Sequence, residues 1–200
     1  MNPISFGNRN VVLNLLILVS SDCCSYGHPQ VNTFGDIVFV SFSELPYKLG
    51  RVYCANRPMA LMHTNVNDVQ VLKQITSNDF SARSPRFVPD SRSVIYFQRL
   101  PYGPHSDCEA VMLYDLEHQN SRELVPVVKS YPTSDGVFAG IYCDQLISNP
   151  FITVNGKHTL LVSTIHKNTV ATLGIGLTQT HFKSRCRLIR AAFKPSSLPQ

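Results

Sequence analysis

Between residues 30 and 165 the apolar positions come in short runs, broken by turn-forming clusters, and helical spacing is missing from the whole stretch. Phe87-Val88 leads into Pro89-Asp90-Ser91 and then Val94-Ile95-Tyr96-Phe97, which predicts two strands around a tight turn. The same shape returns at Phe151-Ile152-Thr153-Val154, Asn155-Gly156 and Thr159-Leu160-Leu161-Val162. Asn-Gly between apolar runs is a strong hairpin signal. A looser copy is Gly35-Asp36 ahead of Ile37-Val38-Phe39-Val40. Two of these copies are followed by a second hairpin. One pairs Ala60 to His63 with Val69 to Leu72, the other Val111 to Leu116 with Leu124 to Val128.

Two successive hairpins make a four-stranded antiparallel unit, repeated at intervals of roughly 55–65 residues, and tandem units of that kind are the mark of a β-propeller. The predicted fold is all-β: a partial β-propeller of about three four-stranded antiparallel blades, some incomplete, over residues 30–165. Residues 1–29 form an unmatched N-terminal segment with an apolar run, and residues 166–200 a basic tail that fits no blade. Val94 to Phe97 is expected to be an inner strand with both faces packed.

Composition agrees with many short elements. The 200 residues are 44% hydrophobic, enough for a core, and only 16% charged, which argues against a coiled coil or long solvated helix. There are thirteen prolines, ten glycines and no tryptophan. The net charge of +5 is uneven. From Gln145 onward there is no Asp or Glu but seven Lys and Arg, whereas the first 144 residues carry eleven positive and thirteen negative side chains. The basic tail interleaves only Phe182 and Phe193, so a nucleic-acid partner is not expected.

The run Val11 to Val19, behind Arg9 and ahead of Ser20-Ser21, resembles a short signal-peptide core but is too short to span a bilayer. It is expected to be a strand or a misassigned start, not a cleaved signal, in a cytoplasmic protein with no membrane partner. The alternative is a secreted chain with residues 1–21 as its signal peptide. The six cysteines include no C-x-x-C pair, and Cys23-Cys24 is the only close pair, so reduced, buried thiols are expected.

Chemical candidates are few. His63, His158 and His166 show no i, i+4 pairing and no metal site is expected. Cys54 and Cys143 read as packing residues, Asp79 and Asp90 as turn residues. Arg51 and Arg57 would line a polar channel or pair with carboxylates between blades. Gly174-Ile175-Gly176 lacks a serine, and no G-x-S-x-G elbow or His-Gly-Gly oxyanion motif occurs anywhere. No catalytic, cofactor-binding or metal-binding residue is therefore assigned, and no cofactor is expected.

Three segments resemble the N-terminal propeller domain of acylaminoacyl peptidase (acyl-peptide hydrolase), of the prolyl oligopeptidase family. They are Leu45 to Arg57 with Val38-Phe39-Val40 before it, Ser84-Pro85-Arg86 through Tyr96 with Met112-Leu113-Tyr114-Asp115 after it, and Phe138 to Cys143. The resemblance covers roughly residues 30–165. It implies an enzyme that releases N-acyl amino acids from blocked peptides, with a Ser-Asp-His triad on a separate α/β-hydrolase domain. No residue of this chain matches that triad. The resemblance thus implies a fragment supplying substrate gating or scaffolding, inactive alone, whose partners are N-acylated peptides once joined to a hydrolase domain. Self-association through open blade edges is a further expectation. The alternatives are a stand-alone propeller-like interaction module and, third, a basic-tailed nucleic-acid binder.

Overall fold

A computed structural model describes residues 24–43, 57–104, 107–128, 140–166, 169–177 and 186–189. Val11 to Val19, Arg51, Cys54 and Phe138-Ala139 lie outside the described residues.

The described residues are all-β, with no helix among them. Twelve strands follow one another: β1 (Cys24–Val31), β2 (Asp36–Ser43), β3 (Met59–Asn65), β4 (Asp68–Gln74), β5 (Ser81–Phe87), β6 (Ser93–Arg99), β7 (Ala110–Asp115), β8 (Asn120–Val125), β9 (Phe151–Val154), β10 (Lys157–His166), β11 (Thr169–Gly176) and β12 (Cys186–Ile189). β1 to β4 pair antiparallel in chain order, as do β5 to β8. A single parallel bridge, Met59 to Ser81, joins these two meanders into one eight-stranded mixed sheet. β9 to β12 form a separate four-stranded antiparallel sheet.

Turn chemistry fixes the register. Asn155 and Gly156 both have positive φ (50° and 70°), the backbone a two-residue hairpin needs, and Lys157 pairs directly with Val154. Asp90 takes φ 52° in the β5–β6 turn. The first strands of both meanders share a device that the sequence disguises. In β1 the register slips between Gly27 and Gln30 around His28-Pro29, and in β5 between Arg83 and Arg86 around Ser84-Pro85. His28 and Ser84 both have φ 54°. Each proline sits at a bulge, where its missing N–H costs no ladder bond.

The core has two parts, and β6 belongs to both. Val94 and Tyr96 face a cluster with Ala82 of β5 and with Val38, Val40, Phe42 and Leu61 of the first meander. Ile95 and Phe97 face the opposite cluster with Val111, Leu124, Ile141, Leu160, Val162, Leu173 and Ile175, which bonds the second meander to the third sheet. All four β6 side chains are buried, as expected for an inner strand packed on both faces.

Two details differ from the sequence reading. β8 starts at Asn120 rather than Leu124, because Asp115 pairs with Asn120 immediately across the turn. Its first four side chains, Asn120 to Glu123, are exposed, so an outer strand has no alternation to reveal it. The strands also continue past residue 165. β11 pairs with β10 along its whole length, from Thr159–Gly176 to His166–Thr169. Gly174 and Gly176 occupy positions where β-branched residues usually signal a strand.

Candidate functional site

Two fully buried carboxylates sit at opposite ends of the strands. Asp36 opens β2, beside the end of β3 and the β5–β6 turn. Asn32 donates to it at 3.0 Å, Asn65 at 3.2 Å, and Arg92 through Nε at 2.8 Å and Nη2 at 2.7 Å. His63 Nε2 lies 3.1 Å from Oδ1. Burial pushes the Asp36 carboxyl up, but the hydrogen bonds from Arg92, Asn32, His63 and Asn65 outweigh it and hold the group far below the usual carboxylate range. Arg92 comes from the second meander and Asp36 from the first, so this pair ties the two together. Above it lies a recess of about 570 Å³ whose walls include His63, Lys73, Arg92, Tyr114 and Glu117.

Glu109 precedes β7 at the other end. One carboxylate oxygen accepts from Arg83 of β5, and Arg99 Nη1 at the end of β6 lies 3.5 Å from the same oxygen. The second oxygen has no hydrogen-bond partner among the described residues. Here burial dominates over Arg83 and Arg99, and the Glu109 carboxyl is raised. This cluster anchors residues 140–147. Arg83 donates to the Cys143 carbonyl at 3.3 Å, and the Glu109 N–H to the Ile141 carbonyl at 2.8 Å. Arg86 reaches the Leu146 and Ile147 carbonyls, while Ser84 Oγ accepts the Leu146 N–H at 2.8 Å. Gly140 has φ 109°, and a Cβ there would stand 2.6 Å from Cys108 Sγ. Only glycine fits that position. A recess of about 400 Å³ opens beside the cluster, walled by Arg83, Asp107, Tyr142, Asp144, Ile165 and Val170 among others.

At neither end do the described residues pair a nucleophile with a base. Among the described residues two histidines hold carboxylates, His63 on Asp36 and His118 on Asp115. No serine, threonine or cysteine hydrogen-bonds to either ring, so the base-and-nucleophile geometry of acyl transfer is not assembled there. Burial raises the Cys108 and Cys143 thiols, the reverse of an activated cysteine. Asp115, Glu117 and His118 bring ligand atoms within 4.8 Å of one another in the β7–β8 turn. Asp115 there accepts the Glu117 and His118 N–H groups, which accounts for its placement.

The residues singled out in the sequence do not converge. His158 bonds Thr153 at 2.8 Å, far from His63, and the His166 side chain is outside the described residues. Cys143 packs against the second core cluster and Asp79 closes a turn with Ser77, both as read. Arg57 is buried over the Phe42 ring, 4.8 Å from its centroid, and pairs with no carboxylate among the described residues. The carboxylate partners are instead Arg83, Arg92 and Arg99, which sequence reasoning missed. Of these only Arg92, directly after the Pro89-Asp90-Ser91 turn, carried a local signal.

The sequence pattern of the family described as "Acylamino-acid-releasing enzyme, N-terminal domain" matches residues 27–184. The chain therefore belongs to that family. The acylamino-acid-releasing enzyme of Mus musculus is 32% identical over 111 residues, covering 55% of this chain and 15% of the mouse protein. That of Homo sapiens is 30% identical over 110 residues, with the same coverage. Acylamino-acid-releasing enzyme 1 of Oryza sativa subsp. japonica is 28% identical over 159 residues, 64% of this chain and 20% of its own. The chain thus spans about 15–20% of the length of the curated relatives it matches.

Proposed function

We propose that these residues are part of a propeller domain of an acylamino-acid-releasing enzyme, serving as scaffold and substrate gate for a hydrolase domain and performing no hydrolysis themselves. On this reading the two meanders and the third sheet are three consecutive blades. The observation that carries it is the packing of two four-stranded meanders and a further antiparallel sheet through β6, with β2 to β11 inside the span of the family match. The anchored Gly140 to Cys143 segment supports it, because a motif characteristic of the family is also the segment that Glu109, Arg83 and Cys108 pack against. The free thiols of Cys108 and Cys143 suit a cytoplasmic location.

Two measurements test this. The purified chain is expected to release no p-nitroaniline from N-acetyl-alanine p-nitroanilide above the blank and to take no label from a fluorophosphonate probe. Labelling that disappears when one serine is replaced would refute the inactive-scaffold reading. The chain should also restore soluble, active enzyme when supplied to the mouse enzyme deleted for its matching segment, and failure to do so counts against the scaffold role.

A further inference from the structure

Two strands from different meanders turn alternate side chains toward one another beside the Asp36 cluster. On β4 these are Val71 and Lys73, with Ile75 just beyond, and at the end of β7 they are Tyr114 and Leu116. Between them lies the recess of about 570 Å³, a volume within the range of small-molecule sites. Ile75, Tyr114 and Leu116 are buried and give it apolar walls, while Val71 is 61% exposed.

The same walls hold donors that the fold leaves unused. Tyr114 is only 7% exposed, yet its hydroxyl has no hydrogen-bond partner among the described residues. A buried hydroxyl left unpaired costs free energy, which a ligand in the recess would recover. Arg92 spends Nε and Nη2 on Asp36, and its Nη1 is unpaired among the described residues. Lys73 gives one hydrogen bond, to the Gln119 side-chain oxygen at 2.6 Å, and keeps two protons. Charge then selects the ligand. Arg92 and Asp36 cancel, so Lys73 is the one wall cation without an anionic partner among the described residues. One spare positive charge suits a singly charged anion. Asp68 and Glu117, exposed on the same walls, oppose a second negative charge and so disfavour a phosphate dianion. The apolar walls call for an apolar group attached to that anion.

We propose that this recess binds an amino-acid carboxylate carried beside an apolar side chain. The carboxylate takes Lys73, Arg92 and Tyr114, and the side chain covers Ile75 and Leu116. A blocked single amino acid and the C-terminus of a short peptide both present this chemistry. Because its walls come from both meanders, the ligand bridges them at the end that Arg92 and Asp36 already tie. The site goes beyond the scaffold reading and does not depend on it.

Methyl-detected NMR titration of the chain with N-acetyl-leucine tests it at neutral pH. A ligand of about a dozen non-hydrogen atoms is expected to bind with a dissociation constant of about 1 mM. The methyl signals of Val71, Ile75 and Leu116 should move together, while those of Leu160 and Leu173 in the third sheet stay in place. N-acetyl-leucine methyl ester, which lacks the charge, should bind about tenfold more weakly or worse, and inorganic phosphate should not displace the acid. Lys73→Gln, a change at an exposed side chain, should weaken the acid about fivefold and leave the ester unchanged. Tyr114→Phe should weaken the acid about threefold without lowering stability, since the hydroxyl has no partner to lose. Lys157→Gln on β10 should change nothing. Alanyl-alanyl-leucine, compared with its C-terminal amide, separates the two sources. The tripeptide binding more tightly than N-acetyl-leucine names a peptide C-terminus, and the reverse names a blocked amino acid. No shift up to about 20 mM, equal binding of acid and ester, a folded Lys73→Gln chain with the parent's affinity, or equal shifts in the third sheet would overturn the proposal. Each of these outcomes is read separately from the hydrolysis assay.

Discussion

Asp36 has no exposed side-chain surface, yet it remains ionised because Arg92, Asn32, His63 and Asn65 supply what water would have given it. Replacing it by alanine leaves the Arg92 and Asn65 donors facing an empty site, and a broken buried pair costs about 3–5 kcal/mol. Arg92→Met is expected to cost less, about 1–2 kcal/mol, because Arg92 is partly solvated and Asn32, Asn65 and His63 stay on the carboxylate. Urea denaturation of the two variants checks the order. The pH dependence has a definite sign. The folded carboxyl titrates below its unfolded value of about 3.9, so its contribution is complete above that value and is lost as pH falls through the folded one. The parent should therefore lose stability steeply between about pH 5 and pH 2, and Asp36→Asn should flatten that limb. An Asp36→Asn chain with the parent's acid profile would mean that other carboxylates govern it. Glu109 works in the opposite direction: its raised carboxyl makes the folded state favour the proton, so its contribution shrinks as pH rises from the unfolded value through the folded one.

Strand β6 shows how far a hydrophobic pattern can carry. Four consecutive β-branched and aromatic residues allow only a strand buried on both sides, and its neighbours follow from the turns that flank it. Ile95→Ala is expected to cost about 3 kcal/mol and Val94→Ala about 2 kcal/mol, since each empties a fully packed position on a different face, while exposed Val71→Ala changes stability by less than about 0.5 kcal/mol. Thermal melts of the three variants test the ranking. Outer and first strands were harder to read for physical reasons. β8 presents Asn120 to Glu123 to water, β11 carries glycines, and β1 and β5 hide prolines in bulges. The polar clusters were less legible still. Asp36 and Arg92 are 56 residues apart and Arg83 and Glu109 are 26 apart, so only the pairing of sequence-distant strands brings them together. Arg57 shows the limit in another way: the sequence offered a polar channel or a carboxylate, and its place over Phe42 depends on packing that no local spacing encodes.

At the scale of the whole molecule the two core clusters are not independent, because the same strand closes both. Val94 and Tyr96 complete one and Ile95 and Phe97 the other, so β6 cannot leave either cluster without opening both. Arg92–Asp36 ties the first meander to the second at one end. At the other end Arg83, with Glu109, holds the Cys143 carbonyl, and the backbone of Tyr142 in turn accepts the Ile165 N–H of the third sheet. The two meanders and the four-stranded sheet should therefore unfold in a single transition, despite belonging to two separate hydrogen-bonded sheets. Val94→Ala and Ile95→Ala strike different clusters, yet each should displace the whole transition, by roughly 2–4 °C for each kcal/mol lost in a domain of this size. Tyrosine absorbance follows the first cluster through Tyr96 and Tyr114, and amide exchange of β10 and β11 follows the third sheet. The expected outcome is coincident midpoints for both probes in the parent and in each variant. Ile95→Ala moving only the exchange of β10 and β11, with the tyrosine transition unchanged, would show that the third sheet opens on its own and that β6 does not couple the clusters.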